Sequence, residues 1–233
     1  MARPTWDGDL LRRGRAPPTT PQEQLDQCRG KPILVFTHGS FVPSQFSARL
    51  QTVLFEPTRL SGACIVRPEP RLDERGYFTR TFCEEEFAKH NLPTRFPQCN
   101  ISRNTLAGTL RGMHFERPFS SESKFVRCIS GAIHDVIIDL RQGSPTRFEW
   151  IGADLTRENS VGLFVPPGFA HGFITLTDET DVFYHMGDFY RPGSASGLKY
   201  NDSYFGIEWP RQPAIISERD GAYPDFDPEV FDD

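Results

Sequence analysis

The sequence predicts an all-β protein, folded as a barrel or as a double-sheet jelly roll. Its 233 residues include 20 phenylalanines and 20 prolines, a composition that favours sheets joined by many turns over bundles of helices. Short apolar or alternating segments recur from Gln51 onward, separated by Gly, Pro, Asn and Asp. Strands at this spacing, without long helices between them, are typical of all-β barrels and jelly rolls.

The first 48 residues differ from the rest, and we interpret them as an N-terminal extension before a single domain at residues 49–233. Residues 1–30 are polar and contain several prolines, so they are predicted to be poorly ordered. Residues 31–40 form a short apolar run that ends in a turn, which predicts an added strand. The remaining domain is long enough to bury a core without disulfides or metals.

The domain divides into short strands and one helix. The helix is predicted at residues 84–90, where Phe87 and Leu92 can turn inward. Gly131 is a candidate hairpin turn between two strands, and the acidic, proline-broken tail at 223–233 is predicted to be loosely docked or mobile. In chain order, the predicted strands are 52–55, 63–67, 77–82, 109–115, 124–129, 132–141, 148–155, 161–165, 172–176 and 181–186.

Composition excludes several classes of partner. The net charge is −5 and there is no long basic run, which argues against nucleic acid. The five cysteines are odd in number and lack a Cys-x-x-Cys pair, so we expect reduced thiols in a cytoplasmic protein instead of a disulfide framework or a zinc ribbon. No apolar run approaches the ~18 residues of a membrane span, and the N-terminus lacks the apolar core of a secretion signal.

The stretch from residue 108 to 116 carries an arginine, a glycine and a histidine on one predicted strand. Strict alternation would place Arg111 and His114 on opposite faces of a sheet. A glycine inside a strand often marks a bulge, and a bulge at Gly112 would bring both side chains to one face. A single histidine is more often an inert core residue than a catalytic one, so the interpretation depends on the rest of the chain.

Other polar residues in strand context make a catalytic interpretation possible. A histidine base with a pKa of about 6.5 and a tyrosine acid can remove and return a proton beside a carbonyl group. A lysine such as Lys124 would stabilise the enolate that forms between the two steps. Arginines and amides would bind the phosphate groups of a substrate through paired hydrogen-bond donors. Each residue also has a plainer interpretation: Lys124 as an edge residue, Tyr184 as a core aromatic, Arg75 and Arg80 as surface charges, and Asp220 as a turn cap.

A series of motifs identifies a family. In chain order they are Asp73-Glu-Arg-Gly-Tyr-Phe78, Gln98-Cys-Asn100, Leu110-Arg-Gly-Met-His-Phe115, Lys124-Phe-Val-Arg127, Gly143-Ser-Pro-Thr146, Val165-Pro-Pro-Gly-Phe-Ala-His-Gly-Phe173, Val182-Phe-Tyr184 and Gly206-Ile-Glu-Trp-Pro210. The chain from about residue 49 to 223 resembles the dTDP-4-dehydrorhamnose 3,5-epimerase family. Together the motifs are highly specific, and the first 48 residues lie outside the resemblance.

The resemblance implies a cupin-type jelly roll that forms a homodimer and uses no metal or organic cofactor. It implies that His114 is the catalytic base, Tyr184 the acid, Asp220 the partner of His114, and Lys124 a neighbour of the sugar keto oxygen. The substrate would be a nucleotide-linked 4-keto-6-deoxy sugar, inverted either at C3 alone or at both C3 and C5. The expected substrate contacts are Arg75, Arg80, Gln98, Asn100, Arg111, His171 and Tyr190.

The chain departs from the family pattern around the expected substrate. Arg80 stands where members acting on dTDP sugars often carry a glutamate, and His185 replaces a lysine often seen after the tyrosine. The stretch at 193–197 lacks an acidic residue that many members carry. An enzyme that inverts only C3, or that uses another nucleotide carrier, is therefore an alternative.

Two further alternatives stay open at the level of sequence. One is a metal-dependent cupin enzyme whose ligands would come from His114, Glu116, His171 and His185, although the usual paired His-x-His spacing is missing. The other is a domain that binds a nucleotide sugar without turning it over.

Overall fold

A computed structural model describes residues 52–117, 121–229 and 231, and shows two sheets packed face to face. The predicted extension at 1–48 lies outside the described residues. Within them, no helix is long and apolar enough to cross a membrane. The architecture is a double-sheet jelly roll, which decides between the two all-β folds that the sequence allowed.

The first sheet has six antiparallel strands in the order β1-β2-β10-β7-β12-β5. Their hydrogen-bonded neighbours are mostly distant in sequence, as in a jelly roll. The bounds are β1 Val53–Pro57, β2 Cys64–Pro68, β5 Gln98–Asn104, β7 Lys124–Ser130, β10 Gly162–Val165 and β12 Thr180–Met186.

The second sheet has the order β13-β6-β11-β8-β9, and a short strand, β14, pairs with β6 in parallel. Its bounds are β6 Thr109–Glu116, β8 Ala132–Asp139, β9 Trp150–Thr156, β11 Phe169–Thr175, β13 Ala195–Gly197 and β14 Ile215–Ile216. A separate two-stranded hairpin consists of β3 Arg71–Asp73 and β4 Gly76–Phe78. The helices are α1 Glu84–Lys89 and α2 Glu218–Gly221.

Alternation along the strands builds a core between the two sheets. Val126 and Val182 point inward from the first sheet, and Ile133, Ile137 and Phe173 point inward from the second. The other face of each strand contributes to a second layer. Successive side chains of a strand alternate between its two faces. Polar residues at inward positions therefore lie between the two sheets, beside the apolar core.

Each sheet also buries its outer face. On the first sheet, Phe125 and Phe164 pack against Phe87 of α1. On the second sheet, Met113, Phe115 and Val136 pack beneath the C-terminal segment, which contributes Phe205 and Phe231. Both outer faces are thus covered by apolar side chains.

The hairpin between β7 and β8 turns at Gly131, as predicted. This glycine has φ +73°, and a Cβ there would collide with the hydroxyl groups of Thr177 and Thr180. A side chain is therefore excluded by both the backbone conformation and the lack of space.

The structure departs from the predicted elements in several places. The strand expected at 77–82 ends at Phe78, and the predicted elements omitted strands β3, β5, β13 and β14 and helix α2. The tail expected to be loose is docked where it is described: Phe231 is 7% exposed and packs in the outer core. The N–H of Phe226 also donates to the buried carboxylate of Asp202, with an N···O distance of 2.6 Å.

Candidate active site

Strand β6 contains the predicted bulge. His114 lies opposite His171 of β11, and Arg111 lies opposite Phe173. The step from Arg111 to His114 is three residues, whereas the matching step on β11 is two, so β6 holds one extra residue. Arg111 and His114 therefore share the inward face, which confirms the prediction made from the glycine.

Gly112 is required at this bulge. Its φ is +139°, a region that side-chain-bearing residues rarely adopt. A Cβ built there would lie 2.5 Å from the Cα of Gly172 on the neighbouring strand. The close approach of two glycines lets β6 turn His114 inward while Met113 packs in the outer core.

His114 is paired with a buried carboxylate. Its Nε2 lies 2.8 Å from Oδ1 of Asp220, which is 4% exposed. The backbone N–H of Asp220 donates to Oγ of Ser217, which caps α2, and strand β14 just before it pairs with β6. Burial lowers the pKa of His114, and the charge of Asp220 opposes that shift. The imidazole is therefore held neutral and oriented, as a general base requires.

A second histidine–carboxylate pair lies beside the first. Nε2 of His171 is 2.6 Å from Oδ1 of Asp135, and both side chains are almost fully buried. The other oxygen, Oδ2, is buried without a hydrogen-bond partner in the described part of the chain. Asp135 was not among the predicted site residues, although an aspartate inside an apolar strand signals a buried partner.

Tyr184 approaches the same space from the opposite sheet. On β12 it follows the inward-facing Val182 by two residues, and its ring stands edge-on to that of His171 at a centroid distance of 5.9 Å. Burial raises the pKa of Tyr184 well above its usual value, and the negative charge of Asp135 adds to this. The phenol is therefore held protonated and available as a proton donor.

Lys124 opens strand β7 at an inward position, two residues before the buried Val126. It forms an ion pair with Glu122, with an Nζ···Oε1 distance of 2.7 Å. Glu122 was not predicted, because it stands in the loop before the strand and its pairing depends on how that loop turns.

The remaining predicted contacts lie around the same space. Arg111 donates from Nε to Oδ1 of Asn104 at 2.8 Å. Gln98 accepts a hydrogen bond at Oε1 from the backbone N–H of Tyr190, with an N···O distance of 2.6 Å. Asn100 lies opposite Tyr184 on the edge strand β5. Asn100 thus neighbours Tyr184, and Arg111 shares the inward face of β6 with His114.

The structure does not bring Arg75 and Arg80 to these residues. Arg75 lies on the β3–β4 hairpin, where its side chain is 84% exposed and pairs with Asp73. Arg80 lies beside α1, 4.0 Å from Oε1 of Glu86.

The alternative metal set is not assembled. His185 faces the outer side of the first sheet, where it packs against the rings of Phe82, Phe96 and Phe125. It therefore does not meet His114 and His171. Among residues 52–117, 121–229 and 231, no group of three His, Cys, Asp or Glu side chains could hold a metal ion.

Comparison with known proteins agrees with this geometry. The profile described as dTDP-4-dehydrorhamnose 3,5-epimerase matches residues 57–228. The chain belongs to this family. It is 46% identical over 169 residues to the dTDP-4-dehydrorhamnose 3,5-epimerase of Methanothermobacter thermautotrophicus, an alignment that covers 71% of this chain and 90% of the relative.

Two solved structures extend the similarity to the epimerase fold. The dTDP-4-dehydrorhamnose 3,5-epimerase of Bacillus anthracis, solved with TDP and pyrophosphate, is 35% identical with a TM-score of 0.72, covering 75% of this chain and 100% of that chain. The dTDP-6-deoxy-D-glucose-3,5-epimerase of Legionella pneumophila, in complex with dTDP-4-keto-L-rhamnose, is 33% identical with a TM-score of 0.69, covering 74% and 92%. The predicted cupin-type fold is confirmed, and family membership makes the protein an isomerase.

Proposed function

We propose that this protein inverts C3 and C5 of a dTDP-linked 4-keto-6-deoxy sugar by deprotonation and reprotonation beside the C4 ketone. The observation that carries the proposal is the placement of His114 and Tyr184 on the two facing sheets, with His171 next to both. A base and an acid on opposite walls of one space can act on opposite faces of a sugar ring. That is the requirement for inversion as opposed to simple exchange.

In the first step, His114 removes a proton from C3 or C5. Asp220 accepts the hydrogen bond from Nε2–H, which leaves the lone pair of Nδ1 as the base. The electrons of the broken C–H bond move into the neighbouring carbonyl and form an enolate. The carboxylate of Asp220 stabilises the imidazolium that results.

Lys124 supplies the charge that the enolate needs. An ammonium beside the developing oxyanion stabilises it most where water is excluded, as at the inward end of β7. The C4 ketone acidifies the protons on both neighbouring carbons, so one set of residues serves both centres.

In the second step, Tyr184 returns a proton to the opposite face of the same carbon. The phenol O–H bond breaks, the new C–H bond forms, and the carbonyl is restored. Before the next carbon is inverted, His114 releases to solvent the proton that it took. Tyr184, whose raised pKa makes its phenolate a strong base, regains a proton from solvent.

The nucleotide is the part of the substrate that the arginine and the amides would hold. Arg111, fixed by Asn104, offers paired donors to a diphosphate. Gln98 and Asn100 lie along the edge strand, and the exposed ring of Tyr190 offers a surface on which a base can stack. In the Legionella relative the bound ligand is a dTDP sugar, which supports dTDP as the carrier here.

We also propose that the protein works as a homodimer. The β3–β4 hairpin exposes Leu72, Tyr77 and Phe78 by 65%, 53% and 71%, an unusual cost for a monomer. It also carries Arg75, which lies outside the site in its own chain. A second copy that covers the hairpin would bury these side chains. Arg75 would then contact the site of that second copy. Light scattering should give the mass of a dimer, and Phe78→Asp should shift it to that of a monomer.

The decisive experiment is NMR in D₂O with dTDP-, GDP-, CDP- and UDP-linked 4-keto sugars. We expect deuterium at C3 and C5 of the dTDP sugar, with inversion at both, and no exchange at either carbon with His114→Ala. Deuterium at C3 alone would identify a C3-only epimerase. Binding without exchange would identify a non-catalytic domain and overturn the proposal.

The four free cysteines of the described chain are consistent with the cytoplasmic location predicted from the sequence.

A further inference from the structure

The ion pair between Lys124 and Glu122 is largely buried. The side chains are 16% and 8% exposed, and the two atoms lie 2.7 Å apart. By contrast, the pair of Lys199 with Asp225 lies on the surface, with side chains 35% and 78% exposed. Two opposite charges have therefore been taken largely out of water at the start of β7.

Stability alone does not account for such a pair. The desolvation of two buried charges offsets most of their attraction, so a buried pair adds little net stability over apolar residues of the same size. The same cost is accepted where a charge must stand at a defined point inside a site. Lys124 stands at such a point. It pairs with Met186 of the neighbouring strand β12, and Tyr184 lies two residues from Met186 on the same strand.

The geometry leaves the ammonium free to act. Glu122 precedes Lys124 by two residues and reaches it with one carboxylate oxygen. An ammonium has three N–H donors, so two remain for a ligand. A lysine side chain without such a partner samples many rotamers, and ordering it when the ligand arrives costs conformational entropy.

We propose that Glu122 is a positioning residue that fixes the ammonium of Lys124 before the keto oxygen arrives. This inference rests on the epimerase function proposed above. The carboxylate orders the lysine and balances its charge in the unliganded protein. The enolate then meets a charge that is already in place, which is how preorganised groups lower a barrier.

The pairing itself can be tested without any substrate. Acylation by an N-hydroxysuccinimide ester joins the acyl group to the lysine nitrogen and releases N-hydroxysuccinimide and a proton. A lysine nitrogen that is hydrogen-bonded to Glu122 must leave that contact to reach the reagent, so it reacts slowly. Mass spectrometry would give the rate at Lys124 relative to the exposed Lys89. We expect this ratio to rise at least fivefold in Glu122→Gln, which keeps the shape and removes the charge. An unchanged ratio would overturn the pairing.

The functional role is tested by a double-mutant cycle. We expect Glu122→Gln to lower kcat for exchange at C3 on the order of tenfold, with the Kd for dTDP within twofold, because dTDP lacks the keto group. Glu122→Asp, which keeps the charge, should recover part of the rate. In a Lys124→Met background, Glu122→Gln should change the rate less than twofold. Equal losses in both backgrounds would show that Glu122 does not act through Lys124.

A matched control separates this result from a general effect of lost charge. Glu56→Gln removes a surface pair with Arg67 and should change neither the acylation ratio nor kcat. Wild-type protein that exchanges no deuterium, with a raised acylation ratio in Glu122→Gln, would reject the proposed function and retain the pairing. Active wild-type protein with unchanged kcat in Glu122→Gln would retain the function and reject the positioning role.

Discussion

His114 and Asp220 are joined in two ways. Oδ1 of Asp220 lies 2.8 Å from Nε2 of His114, and Oδ2 accepts a hydrogen bond from the backbone N–H of Gly112 with an N···O distance of 3.1 Å. One buried carboxylate thus holds both the imidazole and the bulge that turns it inward. The orientation of the base and the local shape of β6 are therefore set together.

This relationship predicts the effect of Asp220→Asn on the pH profile. Burial lowers the pKa of His114 and Asp220 raises it, so loss of the carboxylate should lower the pKa further. The base is active when neutral, so the acidic limb of kcat/KM for C3 exchange should move to lower pH. The rate on the plateau should fall about 10²- to 10⁴-fold, because the amide no longer stabilises the imidazolium.

The outer face of the second sheet offers a matched control for this variant. There Nδ1 of His134 lies 2.7 Å from Oδ1 of Asp154. Asp154→Asn removes the same kind of pair outside the site and should leave the rate and the limb unchanged. A limb that moves to higher pH in Asp220→Asn would contradict the assignment of His114 as the base.

Tyr184→Phe should separate exchange from inversion. The base remains, so deuterium should still enter from the face of His114, whereas net inversion should fall at least 100-fold because the opposite donor is gone. NMR of the product in D₂O measures both quantities at once. Tyr204→Phe, which alters a 47% exposed ring, should change neither. Full retention of inversion in Tyr184→Phe would assign the acid to another group.

The sequence predicted strands well where a segment is mainly apolar. Strands β8 and β12 contain the apolar runs 136–138 and 182–184 and were found, because their inward side chains pack in the core between the sheets. Strand β5 was missed because its inward face carries Gln98, Asn100 and Asn104, which line the site instead of the core. A strand built for a polar site lacks the periodicity by which strands are recognised.

The candidate site was predicted in part for a related reason. His114, Lys124 and Tyr184 stand in strands whose facing the pattern indicates. Asp135, the partner of His171, is a diagonal neighbour on the next strand, and Glu122, the partner of Lys124, lies in a loop, so no local pattern encodes either contact. A sequence also does not say whether a hairpin residue such as Arg75 contributes to the site of its own chain or to that of a second copy.

Gly112→Ala should destabilise the protein by more than the strain of a positive φ at an alanine, because the new side chain also lacks space. The new Cβ would lie 2.5 Å from the Cα of Gly172, so the strands must separate at the bulge. Gly143→Ala is the matched control, with φ +76° and open space around the Cβ. Urea unfolding should show a loss of about 1 kcal/mol for the control and about 3 kcal/mol or more for Gly112→Ala. Equal losses would mean that the close approach of β6 and β11 is not required.

The pH dependence of stability should report on His185, which packs on the outer face against Phe82, Phe125 and Phe183. Burial and the nearby charge of Arg127 lower the pKa of His185 to about 4. The unfolded chain, with a pKa of about 6.5, therefore binds more protons between these values. Stability is full above pH 6.5 and should fall as the pH drops towards 4, because protonation favours the unfolded chain.

Replacement of this histidine should flatten that dependence. Between pH 7 and 4.5, His185→Leu should lose roughly 1 kcal/mol less stability than the wild type, a figure that allows for the partial exposure of His185. Urea unfolding at both pH values measures the difference, which cancels the contributions of all other titrating groups. The control His90→Gln, at an exposed position on the same face, should lose as much as the wild type. An identical loss in His185→Leu would show that His185 is protonated without cost in the folded protein.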